Sequence, residues 1–285
     1  MYKFGIKFKN NTTYIFNMEI VDHDFYTSFY QDLKHMTPQE SQKHYLRYGK
    51  KEKRICNKKM MIRFQNKTKN QIGKEYKLAC QKSFKKEEKL INILIRTIPS
   101  HDFKTCIGSI LKQKYENYRV YICFDKMESL KYLQPFKNNE KIEYFPVYKK
   151  SKEKYKFNLY ENDLLDKVTD GYVIFLDDDD KFCHDNVLKI LNDVIDEQTL
   201  VIWKFFRPDK LIYPTNIKKI ILGEISGVGF LGHIKSYENC RWWDKRNGDY
   251  NFITQVIDKN NPKIKILDYI LTQTQFNDKI GSLGN

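Results

Sequence analysis

The sequence predicts an α/β protein, a mostly parallel sheet flanked by helices, preceded by a small α or α+β module. Three observations carry this. From residue 90 onward short apolar runs alternate with helical segments, the pattern of a parallel sheet covered on both faces. Residues 1–90 hold 21 Lys and Arg against 9 Asp and Glu, while residues 91–285 hold 30 against 27, so charge marks a boundary near residue 90. A chain of 285 residues, 41% hydrophobic, suffices for one large domain or two smaller ones.

The elements follow in chain order. Residues 1–20 alternate apolar and polar positions (Tyr2, Phe4, Ile6, Phe8, then Tyr14, Phe16, Met18) about Asn10-Asn11, which predicts a β-hairpin. Residues 22–57 read as helical. Phe25, Phe29 and Leu33 recur at i, i+4 and i+8, and Thr37-Pro38-Gln39-Glu40 supplies an N-cap, a proline at N1 and a glutamate at N3. Gly49 is the expected stop. Residues 61–89, rich in Lys, Gln and Asn, form a basic linker or a solvated helix.

Leu90–Ile95 is the first buried strand and Phe103–Gln113 a helix; Arg119–Phe124 and Lys141–Phe145 are further strands. A helix over 157–168 leads into Gly171-Tyr172-Val173-Ile174-Phe175-Leu176, the most apolar strand, and another helix spans 186–195. Ligands of such sheets lie beyond the carboxyl ends of the strands. The residues ending each strand are therefore the candidates for chemistry.

Composition excludes several classes. No window approaches 18 uninterrupted apolar residues and the N-terminus lacks a secretory h-region, so a soluble, cytoplasmic protein is expected. The six cysteines never come closer than 17 residues; CxxC redox and zinc-ribbon patterns are absent, and all six are read as reduced. The net charge of +15 invites a nucleic-acid reading through residues 1–90. Lys outnumbers Arg 43 to 8 and alanine occurs once, the bias of an AT-rich genome, such as a low-GC host or a large DNA virus. Arg forks for base recognition are few. Nucleic acid is the weaker reading.

Asp177-Asp178-Asp179-Asp180 directly follows the central strand. Four adjacent carboxylates repel one another unless a cation compensates. Extended backbone puts Asp177 and Asp179 on one side, a bite suited to a hard divalent ion, Mn²⁺ or Mg²⁺ rather than zinc. The competing reading is an acidic loop that caps the next helix. The run's place at the end of a buried parallel strand favours the ligand site.

Phe175-Leu176-Asp177-Asp178-Asp179-Asp180 resembles the DXD region of GT-A-fold (Rossmann-like) glycosyltransferases, particularly family 2. Ile93-Leu94-Ile95-Arg96-Thr97 and Leu111-Lys112-Gln113-Lys114-Tyr115 are similar to that family's opening, except that Arg96 stands for the usual proline and Ile98-Pro99 for Tyr-Asn. The similarity covers about residues 90–285. Asp24-Phe25-Tyr26 with His44-Tyr45-Leu46-Arg47-Tyr48-Gly49 resembles a helical module that accompanies glycosyltransferases of bacteria and giant viruses. The implied organisation is a module over 1–60, a linker or helix over 61–89 and a transferase domain over 90–285. Viral origin would put the protein in host cytoplasm or a virion.

The resemblance implies roles. Thr97 and Asp125 match the nucleotide-base pocket, and Asn158 and Asn162 match polar positions facing the nucleoside, although solvated helix polars read almost as well. Asp177 matches the ribose contact and first metal position and Asp179 the metal ligand on the diphosphate, with Asp178 and Asp180 as alternates one residue out of step. Asp249 matches the catalytic base, with Gly248 where the family has Glu; helix capping is its alternative role. The position of Asp249 at a helix start is expected to keep it ionised.

Trp242 and Trp243 suit stacking on an acceptor sugar or core packing, and His233 is an acceptor contact, a further metal ligand or a structural residue. The tail 279–285 is a flap or a frayed end. The implied activity is inverting, metal-dependent transfer of a sugar from a nucleotide diphosphate, with UDP the expected nucleotide, to a hydroxyl of a glycan, protein or lipid-linked acceptor. The alternatives are a silent nucleotide-sugar-binding module and a nucleic-acid binder.

Overall fold

A computed structural model describes residues 20–52, 54–84, 87–97, 103–148, 155–207, 212–216 and 218–274, and the backbone of 4–7 and 13–16. The expectations for Asn10-Asn11, Ile98-Pro99 and the tail 279–285 lie outside these residues. The chain divides into two compact units, Met1–Lys69 and Asn70–Asn285.

In the first unit, β1 (Phe4–Lys7) and β2 (Thr13–Phe16) pair antiparallel, Phe4 opposite Phe16. Helix α1 (His23–Phe29) is capped by Asp22, whose carboxylate accepts from the Phe25 N–H at 3.1 Å. Helix α2 (Pro38–His44) begins with a full capping box. The Thr37 hydroxyl accepts from Glu40 N–H, and the Glu40 carboxylate accepts from Thr37 N–H at 2.7 Å, satisfying two orphan donors. The chain then runs on through a π-helical turn, Tyr45–Gly49. The helical run thus ends at Gly49 as expected, with Lys50 as its C-cap, but Gly49 is not a left-handed cap. It is glycine because a Cβ there would lie 2.5 Å from the Tyr26 hydroxyl. Tyr26, Leu33, Tyr45 and Cys56 form this unit's core. Helix α3 (Lys58–Gln81) runs through the boundary between the units, so the basic stretch is largely helix.

The second unit contains β3 (Ile91–Thr97), α4 (Phe103–Leu111), β4 (Tyr118–Phe124), α5 (Leu130–Leu133), β5 (Ile142–Pro146), α6 (Phe157–Leu165) and β6 (Tyr172–Asp177). There follow β7 (Lys181–Phe182), α7 (Val187–Asn192), β8 (Thr199–Phe206), β9 (Ile212–Tyr213), β10 (Phe230–His233), α8 (Gly248–Asn260) and β11 (Lys263–Gln273). One sheet runs β5-β4-β3-β6-β10-β8-β11-β7, with β9 on β8. Strands β5, β4, β3 and β6 are parallel; β10 is antiparallel to both neighbours.

Two apolar layers cover the sheet. Alternate residues of β3 and β6 (Ile91, Ile93, Ile95; Tyr172, Ile174, Leu176) share one layer with α4 and α7. Leu94, Val173 and Phe175 share the other with α6 and α8. This strict alternation follows from the two-residue period of a strand and decides which functional side chains meet.

Candidate active site

Arg96, one residue before the end of β3, and Asp177, the last residue of β6, are register partners. By alternation both belong to the face of Leu94 and Phe175, under α6 and α8. The guanidinium grips Asp177 with two bonds, Nε to Oδ1 at 2.5 Å and Nη2 to Oδ2 at 2.9 Å, the bidentate geometry that Arg favours with carboxylates. Its Nη1 donates to Asn158 Oδ1 at 3.2 Å, and Glu161 Oε1 lies 3.4 Å from Nε. Burial opposes the charge, but Asp177 and Glu161 hold the guanidinium protonated far above its ordinary range. Glu161 is 2% exposed. Burial pushes its carboxyl well above the usual range, against the pull of Arg96.

The next residue of each strand turns to the opposite face, and Thr97 Oγ1 donates to Asp178 Oδ2 at 2.8 Å. The chain then folds back in a tight turn in which Asp180 N–H donates to the Asp177 carbonyl at 3.0 Å. As a result Asp177, Asp179 and Asp180 bring one carboxylate oxygen each within 4.8 Å of one another. Of the two alternates, Asp180 joins Asp177 and Asp179, while Asp178 is turned to Thr97. The donor set is all carboxylate, which fits a hard divalent cation and not zinc. Cys106, whose Sγ is 3.5 Å from the Asp177 carbonyl, registers the local field. Its thiol is pushed well up by burial and then by all four aspartates.

Asp249 lies in the first turn of α8, and its Oδ1 accepts from Gly227 N–H at 2.9 Å. A Cβ at residue 227 would lie 3.2 Å from that oxygen and from Phe175 Cβ, so glycine allows the approach. The carboxyl is pushed up to about 6, chiefly by burial and further by Asp177, while Arg96 and backbone N–H groups pull it down. The helix start thus does not hold Asp249 at ordinary acidity; desolvation outweighs it. Arg96, Glu161, Asp177, Asp180, Trp242 and Asp249 line one small cavity. Two buried atoms of these residues, Glu161 Oε2 and Trp242 Nε1, have no hydrogen-bond partner among the described residues.

Asp125 follows β4. Tyr160 on α6 donates to its Oδ2 at 3.2 Å, while its buried Oδ1 has no partner among the described residues. Asn158 and Asn162, expected to face a nucleoside, are bound to a loop instead. Asn162 donates to the Trp242 carbonyl at 3.0 Å and accepts from Trp242 N–H at 2.9 Å. Asn158 donates to the carbonyls of Trp243 and Lys245 at 3.2 and 2.9 Å.

Trp242 stacks on Phe252 with ring centroids 4.7 Å apart and is a core residue with an edge on the cavity. Trp243 is 43% exposed, with Lys245 Nζ 4.9 Å from its ring centroid. His233 pairs with Tyr172, at the opposite end of β6 from Asp177, about 17 Å away at the rise of a strand. Its ring is buried against Tyr172, and burial lowers its pKa. A residue beside the amino end of β6 does not reach the carboxylate cluster, so His233 is not placed to ligate an ion there. Arg96, Glu161 and Gly227 were missed as site residues. Arg96 was visible only as a departure from the family pattern, and Glu161, three residues after Asn158 on the same helix face, left a signal only in that spacing.

No protein-family model matches the chain, and no curated protein sequence does. Solved structures do. TarS residues 1–349 from S. aureus match with a TM-score of 0.54 at 16% identity, over 65% of this chain and 60% of that one. The same TarS segment in complex with UDP-GlcNAc matches at 0.50 and 15%, over 65% and 58%. Mannosyltransferase PcManGT from Pyrobaculum calidifontis, in complex with GDP-Man and Mn²⁺, matches at 0.52 and 11%, over 75% and 67%. The chain thus spans about 60% of the TarS segment's length. At such identities the likeness shows the fold, which is a glycosyltransferase fold.

Proposed function

We propose that the chain is a metal-dependent, inverting glycosyltransferase, similar to family 2, that moves a sugar from a nucleotide diphosphate to an acceptor hydroxyl. The observation that carries this is the gathering of Asp177, Asp179 and Asp180 within 4.8 Å at the carboxyl end of β6, the place where such sheets bind ligands. In this reading residues 90–285 are the transferase and residues 1–60 an accessory module. Asp179 and Asp180, with Asp177, hold Mn²⁺ or Mg²⁺. Such an ion supplies charge stabilisation to a departing diphosphate.

The chain's own residues do the rest. Asp125 Oδ1, a buried acceptor with no donor among the described residues, suits the imide N–H of uracil, which supports a UDP-sugar. Asp249, whose carboxyl sits at about 6, is ionised at neutral pH yet more basic than an ordinary aspartate, as a general base requires. It takes the proton of the acceptor hydroxyl as the new C–O bond forms at the anomeric carbon. The bond to the diphosphate oxygen breaks on the opposite face, and the electron pair leaves with the nucleotide.

The experiment is a pair of variants assayed with UDP-GlcNAc, UDP-glucose and GDP-mannose in Mn²⁺. Asp179→Ala is expected to lose both nucleotide binding and nucleotide release. Asp249→Asn is expected to retain binding and lose turnover by on the order of a hundredfold to ten-thousandfold. An Asn variant with near-normal turnover excludes Asp249 as the base.

A second reading has one observation in its favour. Arg96 already occupies both oxygens of Asp177, as in a module that binds nucleotide-sugar without turnover. Saturable binding with no nucleotide release against any acceptor pool supports that reading.

A further inference from the structure

Three features of the site are explained together. Arg96, Asn158 and Gly248 all bear on one short path between the carboxylate cluster and the helix that carries Asp249. Arg96 grips Asp177 through Nε and Nη2 and donates its remaining arm, Nη1, to Asn158 Oδ1 at 3.2 Å. The Asn158 amide turns its other end to the loop before α8, donating to the Trp243 and Lys245 carbonyls at 3.2 and 2.9 Å. This fixes the amide's orientation, because the reverse would set its NH₂ against the guanidinium and its oxygen against two carbonyls. Gly248 completes the path. A Cβ there would lie 2.6 Å from Asn158 Nδ2 and 2.8 Å from its Cγ, so the space for a side chain beside Asp249 is filled by the amide.

We propose that Arg96, Asn158 and Gly248 form one positioning device, which locks the loop carrying Asp249 to the carboxylate end of β6 and so sets the base against the diphosphate side of the site. The proposal rests on the glycosyltransferase reading and adds how its two halves are held in register. Asn158 serves the loop and not the nucleoside. The glycine before Asp249 is required by Asn158, and the guanidinium that replaces a proline anchors the amide. A misplacement of about 1 Å in such a site can cost on the order of a hundredfold in rate, so the device acts on turnover and leaves donor binding alone.

Asn158→Asp is nearly isosteric. It keeps an acceptor for Arg96 and removes both donors to the loop. Its kcat for nucleotide release from UDP-GlcNAc in Mn²⁺ is expected to fall about tenfold or more, with the donor KM and the Mn²⁺ requirement unchanged. A raised donor KM with kcat intact would return Asn158 to the nucleoside and overturn the proposal. Gly248→Ala is expected to lower kcat similarly in the native background and to cost nothing further in Asn158→Ala, where the amide is gone. Additive effects would mean independent residues and also overturn it. Arg96→Lys, which keeps the charge and loses the fork, is expected to reproduce the kcat loss.

Hydrogen exchange of the full chain separates this from the functional reading. In Asn158→Asp the amides of 243–249 are expected to exchange at least tenfold faster while those of β6 stay protected. Unchanged exchange overturns the positioning device whether or not the protein turns over. Faster loop exchange in a protein that binds no nucleotide overturns the functional reading alone.

Discussion

At the scale of single residues, Asp249 is held between burial, which favours its neutral form, and Arg96 with two backbone N–H groups, which favour its charge. Burial wins, and the carboxyl sits at about 6. The base proposed for Asp249 must be ionised, so on that proposal kcat/KM is expected to fall tenfold per pH unit below about 6, with the limb absent from Asp249→Asn. A pH–rate profile flat down to pH 4.5 would mean another group takes the proton. The sequence singled out Asp249 at a helix start and read it as ionised, but could not show the raised carboxyl, because helix position is local and burial is not. The aspartate run was legible for the same reason, since it follows an apolar strand directly. Which three of the four converge was not, because that depends on the turn in which Asp180 N–H meets the Asp177 carbonyl. Glu161 gave little signal, since a carboxyl 2% exposed reads from sequence as one more polar residue on a helix.

At the scale of elements, the strongly apolar strands and the capping box of α2 could be read directly. Both are local, one a run of residues and the other a spacing of three. Strands β10 and β11 escaped, as did the two-residue β7 and β9, and so did β8, although its apolar run was there to be read. β10 has only four residues including Gly232, and β11 is broken by register shifts after Leu267 and Ile270, so neither keeps an even period long enough to declare itself. The π-turn at Tyr45–Gly49 escaped because packing against Tyr26, not backbone conformation, selects Gly49. Gly171 is the converse case. It enters β6 at φ 89°, and a Cβ would lie 2.7 Å from the Leu90 carbonyl oxygen. Gly171→Ala is expected to destabilise the chain by on the order of 2 kcal/mol through left-handed strain and this clash, measured by denaturant unfolding. An unchanged midpoint would show that β6 tolerates another entry.

At the scale of the whole molecule, charge and compactness divide the chain differently. The charge boundary falls near residue 90, while the compact units meet between Lys69 and Asn70, within α3. The difference arises because the last turns of α3 belong to the second unit. Ala79 joins the β3–α4 core and Glu75 accepts from Ile270 N–H at 2.9 Å. A composition shift cannot show that a basic helix contributes one face to a core. Among the described residues no helix is long and apolar enough to cross a membrane.

The central claim, that the aspartates ending β6 hold a divalent ion for a nucleotide diphosphate, is tested most directly by thermal unfolding of the full chain with Mn²⁺, with UDP, and with both. A ligand at a hundred times its Kd stabilises by about 2.7 kcal/mol, which raises Tm by about 5 °C or more in a unit of this size. That rise is expected with Mn²⁺ and UDP together, much less with either alone, and not in Asp179→Ala. An equal rise in Asp179→Ala, or none in the native chain at millimolar UDP and Mn²⁺, would contradict it.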